Sequence, residues 1–185
     1  MRKIVASLFM TLDGVVESPN LWAFDFGSPQ QQRFKLDELF AADALLLGRV
    51  TYEGFAAAWP HMAEQTGEYG ARMNSIPKHV VSSTLERADW QNSSLLRGDL
   101  AEAVGRLKQQ PGQDVLIFGS PTLVGGLTER GLIDEYRLMV FPVLLGRGRR
   151  LFGEGGTRKT LGLLEARDFG SGVVLLRYAP AGGRP

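Results

Sequence analysis

The chain contains no cysteine, which rules out disulfides, thiolate metal sites and a cysteine nucleophile. Its two histidines, His61 and His79, stand too far apart to suggest a metal site, and none is expected. Neither sign of charge is in excess. The formal net charge of +1 creates no global field for nucleic acid, an anionic membrane or a cationic partner. No apolar run approaches the roughly 20 residues that a membrane-spanning helix needs. Met1-Arg2-Lys3 opens onto an apolar stretch, but Thr11-Leu12-Asp13-Gly14 interrupts it before a signal-peptide core develops. The expectation is a soluble cytoplasmic protein with no membrane or nucleic-acid partner. Two nucleotide signatures are missing as well. No G-x-G-x-x-G follows the first strand, and Gly146-Arg147-Gly148 has Leu151 where the last glycine belongs. Lys159-Thr160 follows Arg158 rather than glycine, so there is no Walker loop.

What is present is a regular alternation of short apolar runs and amphipathic segments. Ile4 to Phe9 reads as a first strand that ends at the turn pair Asp13-Gly14. The turn-rich stretch Glu17 to Pro29 carries Trp22, Phe24 and Phe26. These aromatics either form a flap over something apolar or plug the domain's own core. Gln30 to Ala42 suits a helix with Phe34, Leu36, Leu39 and Phe40 as its apolar positions. A strand from Ala44 and a helix ended by Pro60 follow, then a polar helix from Ala63 to Ser75. His79 to Ser82 and Trp90 to Arg97 supply short strands, and Asp99 is placed to cap a helix through Gln109. Val115 to Phe118 is a strand that feeds a helix from Thr122 to Arg130. Strand and helix alternate from residue 44 to 130, which argues for a parallel sheet covered on both faces. From Asp134 the pattern changes to a long strand reaching Leu145, a glycine- and arginine-rich loop, and a terminal hairpin around Gly170-Ser171-Gly172. One mixed α/β domain over residues 1–179 with a frayed tail at 180–185 is expected from a chain of 185 residues.

Three strand ends carry groups suited to phosphate: Gly48-Arg49-Val50-Thr51, Ser82-Ser83-Thr84 and Gly119-Ser120-Pro121-Thr122. The first and third open helices, whose unpaired N–H groups and dipole favour an anion. Each alone is commonplace, and Gly48-Arg49-Val50-Thr51 by itself reads first as an ordinary strand-to-helix turn with a solvated arginine. Together, at the carboxyl ends of neighbouring strands, they make a dinucleotide site plausible.

These residues carry a family resemblance. Leu47-Gly48-Arg49-Val50-Thr51-Tyr52-Glu53, Val81-Ser82-Ser83 and Ile117-Phe118-Gly119-Ser120 resemble dihydrofolate reductase in order and spacing. Met10-Thr11-Leu12-Asp13-Gly14, Gly131-Leu132-Ile133-Asp134-Glu135-Tyr136-Arg137 and Pro142-Val143-Leu144-Leu145-Gly146-Arg147-Gly148 resemble a second branch. That branch is the reductase domain of the bifunctional riboflavin-biosynthesis deaminase–reductase and its stand-alone relatives. The resemblance spans residues 2–178. It implies an α/β, dihydrofolate reductase-like three-layer fold, with a central mostly parallel mixed sheet, flanking helices and a C-terminal β-hairpin. It also implies NADPH as cofactor. Gly48, Arg49, Val50 and Thr51 would then meet the diphosphate, and Val81, Ser82 and Ser83 the adenosine ribose and its 2′-phosphate. Gly119, Ser120, Thr122, Leu123 and Val124 would line the diphosphate and nicotinamide side. Hydroxyls with Arg87 nearby, in place of an acidic residue, suit NADPH over NADH.

The resemblance is incomplete. Dihydrofolate reductase has two glycines where this chain has Gly119-Ser120, and a substrate-binding carboxylate where it has Gln30-Gln31-Gln32. Asp37 and Glu38 lie too far along that helix for the same role. The expected activity is hydride transfer to a small heterocyclic substrate, pterin-like or riboflavin-precursor-like. Asp13 is the candidate catalytic group, with a turn-only role as its alternative, and Trp22 and Phe24 are candidates to cover the substrate. A nucleotide-binding protein of the same fold without reductase activity is the rival reading. Nucleic-acid binding through Arg147, Arg149, Arg150, Arg158 and Lys159 is disfavoured because Glu154 interrupts that cluster. Relatives in the riboflavin branch imply a homodimer, with the apolar run from Asp134 to Leu145 as the pairing element.

Overall fold

A computed structural model describes residues 1–153 and 155–182. Its first strand, β1 (Ile4–Thr11), leads through two short 3-10 turns (Pro19–Leu21 and Phe24–Phe26) to helix α1 (Pro29–Ala41). Then come β2 (Ala42–Gly48), α2 (Arg49–Ser75), β3 (Lys78–Val81), β4 (Ser93–Leu96), α3 (Leu100–Gln109), β5 (Asp114–Phe118) and α4 (Pro121–Glu129). Strands β6 (Glu135–Phe141), β7 (Leu161–Asp168) and β8 (Val174–Pro180) complete the described chain.

All the strands join one sheet in the order β4-β3-β2-β5-β1-β6-β8-β7. The pairings from β4 to β6 are parallel, and β8 and β7 add an antiparallel end. This is the α/β, dihydrofolate reductase-like architecture, with its C-terminal hairpin. The parallel strands are buried on both faces: Ile4, Val5, Ala6 and Leu45 to Leu47 have no exposed surface. Such strands read as continuous apolar runs rather than alternating ones. One core cluster joins Leu46, Ile117, Val104 and Val124 on the α3–α4 side. The other joins Leu45, Leu47, Tyr52 and Met73 on the α1–α2 side.

Local signals placed most element boundaries. The Asp99 carboxylate accepts the Glu102 N–H at 2.9 Å and starts α3. Ser28 Oγ accepts from the Gln31 N–H at 3.2 Å, with Pro29 in the first helical position of α1. Two boundaries differ from expectation. Helix α2 runs through Pro60, and its break falls at Gly67, where φ is 56° and ψ −133°. Glycine reaches that conformation without a Cβ clash, so the kink sits there rather than at the proline. The strand expected to reach Leu145 stops at Phe141, because Pro142 has no N–H to continue the ladder. The tail expected from Pro180 enters β8 at Pro180, which pairs opposite Leu161. Its last part, residues 183–185, lies outside the described residues, as does Glu154.

Candidate functional site

Right-handed parallel crossovers bring the carboxyl ends of β3, β2, β5 and β1 to one edge of the sheet. There β2 turns into α2 at Gly48, and β5 turns into α4 through Gly119 and Ser120. Both latter residues are left-handed, with φ of 55° and 53°. A Cβ on Gly119 would lie 3.1 Å from Thr51 Oγ1, so glycine is favoured by the tight contact as well as by its left-handed conformation.

The left-handed serine is held by cross-bonds between the two turns. Ser120 Oγ accepts the Gly48 N–H at 2.9 Å and donates to the Phe118 carbonyl at 3.2 Å. The Ser120 N–H donates to Thr51 Oγ1 at 2.9 Å. The Thr51 and Ser120 hydroxyls, expected to face a diphosphate, thus bolt the two helix starts together. The groups free for an anion are backbone N–H groups in the first turns. In α2 these belong to Arg49, Val50 and Thr51. In α4, Pro121 has none, leaving those of Thr122 and Leu123. The Val124 side chain is fully buried and its N–H bonds the Ser120 carbonyl at 2.9 Å. The Leu123 side chain is also in the core.

Beside these helix starts lies a cleft of about 660 Å³ lined by Arg49, Val81, Ser82, Ser83, Thr84, Leu96, Arg97 and Gly98. Among the described residues no carboxylate lines it. Ser82 Oγ accepts N–H bonds from Thr84 at 3.2 Å and Leu85 at 2.9 Å, a structural turn. Ser83 is exposed. Arg49 reaches Glu53 at 2.9 Å on the helix surface. Arg87, the cation expected here, instead pairs with Asp89 outside the cleft. Arg97 takes that place, anchored to the Leu85 carbonyl at 2.5 Å. Its position just beyond β4 parallels that of Arg49 just beyond β2, and that parallel was the available signal.

The substrate-side candidates move. Asp13 accepts hydrogen bonds from Thr11 Oγ1 at 2.6 Å, Gly146 N–H at 2.8 Å and Leu145 N–H at 3.3 Å. These bonds, the Thr11 hydroxyl first, lower its pKa to about 2. A carboxylate ionised at neutral pH and engaged in pinning the 143–150 loop has no proton to give, so the turn role is the one the structure supports. Trp22 is buried against Phe141, ring centroids 5.4 Å apart, and donates to the Glu17 carbonyl. It plugs the core rather than covering a substrate. Phe24 is 73% exposed. Of the basic loop cluster, Arg150 bonds the Asp13 carbonyl and Lys159 the Glu129 carbonyl.

The unanticipated feature is the face of α1 that meets the sheet. Gln31, Lys35 and Glu38, at i, i+4 and i+7, point inward. Glu38 accepts from Ser7 Oγ on β1 at 2.9 Å and from Lys35 Nζ at 2.5 Å, and pairs with Arg137 on β6 at 3.3 Å. Glu38, expected to lie too far along the helix, therefore sits at the centre of a buried charge cluster. Burial pulls the Lys35 pKa down, opposed by Glu38. One terminal atom of the buried Gln31 amide has no hydrogen-bond partner. The polar i, i+4, i+7 spacing is legible in the sequence, but only a sheet that offers Ser7 and Arg137 turns that face inward.

Among the described residues, no three His, Asp or Glu side chains gather as metal ligands. No helix among them is long and apolar enough to cross a membrane.

Comparison with known proteins places this geometry. The model of the RibD C-terminal domain family matches residues 2–175. The chain is 31% identical to YyaP of Bacillus subtilis (strain 168) over 179 residues, covering 96% of this chain and 94% of YyaP. Its fold resembles that of a Shewanella sp. PV-4 protein provisionally named for riboflavin biosynthesis, with a TM-score of 0.78 and 21% identity, covering 98% and 99% of the two chains. It also resembles the Thermotoga maritima diaminohydroxyphosphoribosylaminopyrimidine deaminase/5-amino-6-(5-phosphoribosylamino)uracil reductase, with a TM-score of 0.65 and 12% identity. That match covers 97% of this chain and 57% of the Thermotoga chain. With the family model running through the strand ends, the helix starts and the α1 cluster alike, this chain belongs to the RibD C-terminal domain family.

Proposed function

We propose that this protein is an NADPH-dependent reductase acting on a small heterocyclic substrate, pterin-like or riboflavin-precursor-like. The observation that carries the cofactor choice is the cleft at the ends of β3 and β4. Two arginines and a row of hydroxyls line it, with no acidic group among the described residues. An adenosine ribose bearing a 2′-phosphate fits that chemistry; a bare ribose is ordinarily held by a carboxylate. The first-turn N–H groups of α2 and α4 would hold the diphosphate. NADPH, when bound, supplies a hydride; the protein positions it and excludes water.

A calorimetric or thermal-shift titration comparing NADPH with NADH tests the reading, NADPH being expected to bind more tightly. Arg97→Ala should weaken NADPH by about tenfold or more, the worth of a charge-assisted hydrogen bond, while leaving NADH nearly unchanged. Arg49→Ala should weaken NADPH without altering the fold, because its ion pair with Glu53 is half-exposed. Equal, weak binding of both nucleotides would overturn the cofactor assignment. A second reading, a nucleotide-binding protein without turnover, draws on Asp13 being structural and on α1 beginning with glutamines. Tight NADPH binding with no oxidation on pterin or flavin-precursor probes would favour it.

We further propose a homodimer formed through β7 rather than through the run beginning at Asp134. β6 is interior, between β1 and β8, whereas β7 is one edge of the sheet, β4 being the other. Leu163 and Leu164 are 57% and 54% exposed there, and Glu165 and Arg167 would face each other's copies across an antiparallel two-fold pairing. Light scattering should give twice the chain mass for the natural sequence, and the monomer mass for Leu163→Glu/Leu164→Glu.

A further inference from the structure

The Lys35 ammonium is a buried charge that the cofactor reading leaves unused. It lies 2.5 Å from Glu38 Oε2, 3.0 Å from Ser7 Oγ, 4.0 Å from the centre of the Phe118 ring and 5.6 Å from that of Phe9. Phe118 is the last residue of β5, directly before Gly119 and Ser120, and it pairs in register with Ser7 of β1. Lys35 therefore stands at the β1–β5 junction, next to the start of α4. Within the ion pair, the Glu38 side chain has no exposed surface while that of Lys35 keeps 13%. The cation is the outward member.

The order of the strand ends assigns this place a ligand. The cleft for a phosphate-bearing adenosine is at β3 and β4, and the two helix starts follow β2 and β5. A dinucleotide laid in that direction would bring its nicotinamide end towards β5 and β1, two and three strand spacings from β3, or roughly 9 and 14 Å. An ammonium desolvated there, with an unpartnered amide atom of Gln31 one turn away on the same helix face, costs stability that packing alone does not require.

We propose that Lys35 is a specificity-determining residue that reads the charge of the nicotinamide ring, disfavouring the cationic ring of NADP+ relative to the neutral ring of NADPH. The proposal rests on the reading that NADP(H) lies across these strand ends. Two like charges repel beside an ammonium whose side chain is only 13% exposed, and Glu38, behind the ammonium, offsets part of the repulsion. At an effective dielectric constant of about 20, the net discrimination is roughly fivefold. The protein would thus retain the reduced cofactor and favour release of the oxidised one. The charged and titratable groups facing Lys35 or its partner are Glu38 on α1, Arg137 on β6 and Tyr69 on α2.

The test is the ratio of dissociation constants for NADP+ and NADPH, measured by calorimetry at pH 7 for the natural protein, Lys35→Met and Lys35→Arg. The ratio should fall about fivefold in Lys35→Met and be kept in Lys35→Arg. Raising the pH through deprotonation of Lys35 should bring the natural protein to the Lys35→Met ratio. If Lys35→Met does not fold, Lys35→Met/Glu38→Leu, which removes both charges, serves in its place. A purely structural lysine would change the melting temperature but shift both affinities equally. That outcome overturns the proposal and leaves the cofactor reading standing. Failure of the natural protein to bind either nucleotide overturns both.

Discussion

Replacing Glu38 with leucine is expected to destabilise the fold by about 3–5 kcal/mol, the cost of removing one member of a buried ion cluster. The Glu38 side chain has no exposed surface and is the shared acceptor for Ser7, Lys35 and Arg137. Lys35 then keeps only the Ser7 hydroxyl and the faces of Phe118 and Phe9. Arg137 keeps Glu135 at 2.7 Å and the more distant Asp114. The Lys35→Met/Glu38→Leu pair should recover most of the loss, because it removes the stranded ammonium together with its partner. Urea denaturation of the single and double variants measures both effects. A loss under 1 kcal/mol for Glu38→Leu would mean that water reaches the cluster and screens it.

A second large effect is expected at Lys78, which is fully buried. Its ammonium donates to the carbonyls of Asn74 and Ile76 at 2.8 Å and of Gln91 at 3.1 Å, and lies 4.0 Å from the Trp90 ring centre. It closes the end of α2, where carbonyls lack helical partners, and ties it to the segment before β4. Lys78→Met should cost about 3 kcal/mol, since three backbone acceptors, that of Ile76 buried and the other two partly so, lose their donor together. Burial, with Arg72 adding, draws the Lys78 pKa from 10.5 to about 8. The sign follows from linkage: between pH 8 and 10.5 the folded state binds fewer protons than the unfolded state, so Lys78's contribution to stability rises with pH. The stability difference between the natural protein and Lys78→Met should therefore widen from pH 8 to pH 10. A constant difference would mean that the carbonyls and the Trp90 ring hold the proton on as firmly as water does.

Much of the fold was legible because strands buried on both faces, caps and turns obey local rules. The apolar runs at Leu45–Leu47 and Val115–Phe118, the Asp99 cap and the Asp13-Gly14 turn each involve residues within a few positions of one another. The phosphate-suited strand ends were found for the same reason: a glycine or serine between a strand and a helix is a local signal. The roles of the individual hydroxyls were not legible in this way. Thr51 and Ser120 are 69 residues apart in the chain, and only the adjacency of β2 and β5 brings them into a hydrogen bond.

Helix α1 separates the two kinds of information most sharply. The sequence alone determined that it is a helix, where it begins and that it precedes a buried strand. The tertiary structure decided which face turns inward: of the expected apolar positions Leu39 is fully buried and Phe34 packs against Phe169, but Gln31, Lys35 and Glu38 face the sheet as well, and Phe40 is 53% exposed. Likewise, Asp13 was identified from its turn, but its bond to Gly146, 133 residues away, is a product of the tertiary structure. A helix's intrinsic preferences depend on neighbours within four positions, whereas its orientation depends on whatever groups the sheet presents. Ser7 and Arg137 present polar partners to α1, and a charge that finds its partners can be buried where an unpaired one cannot.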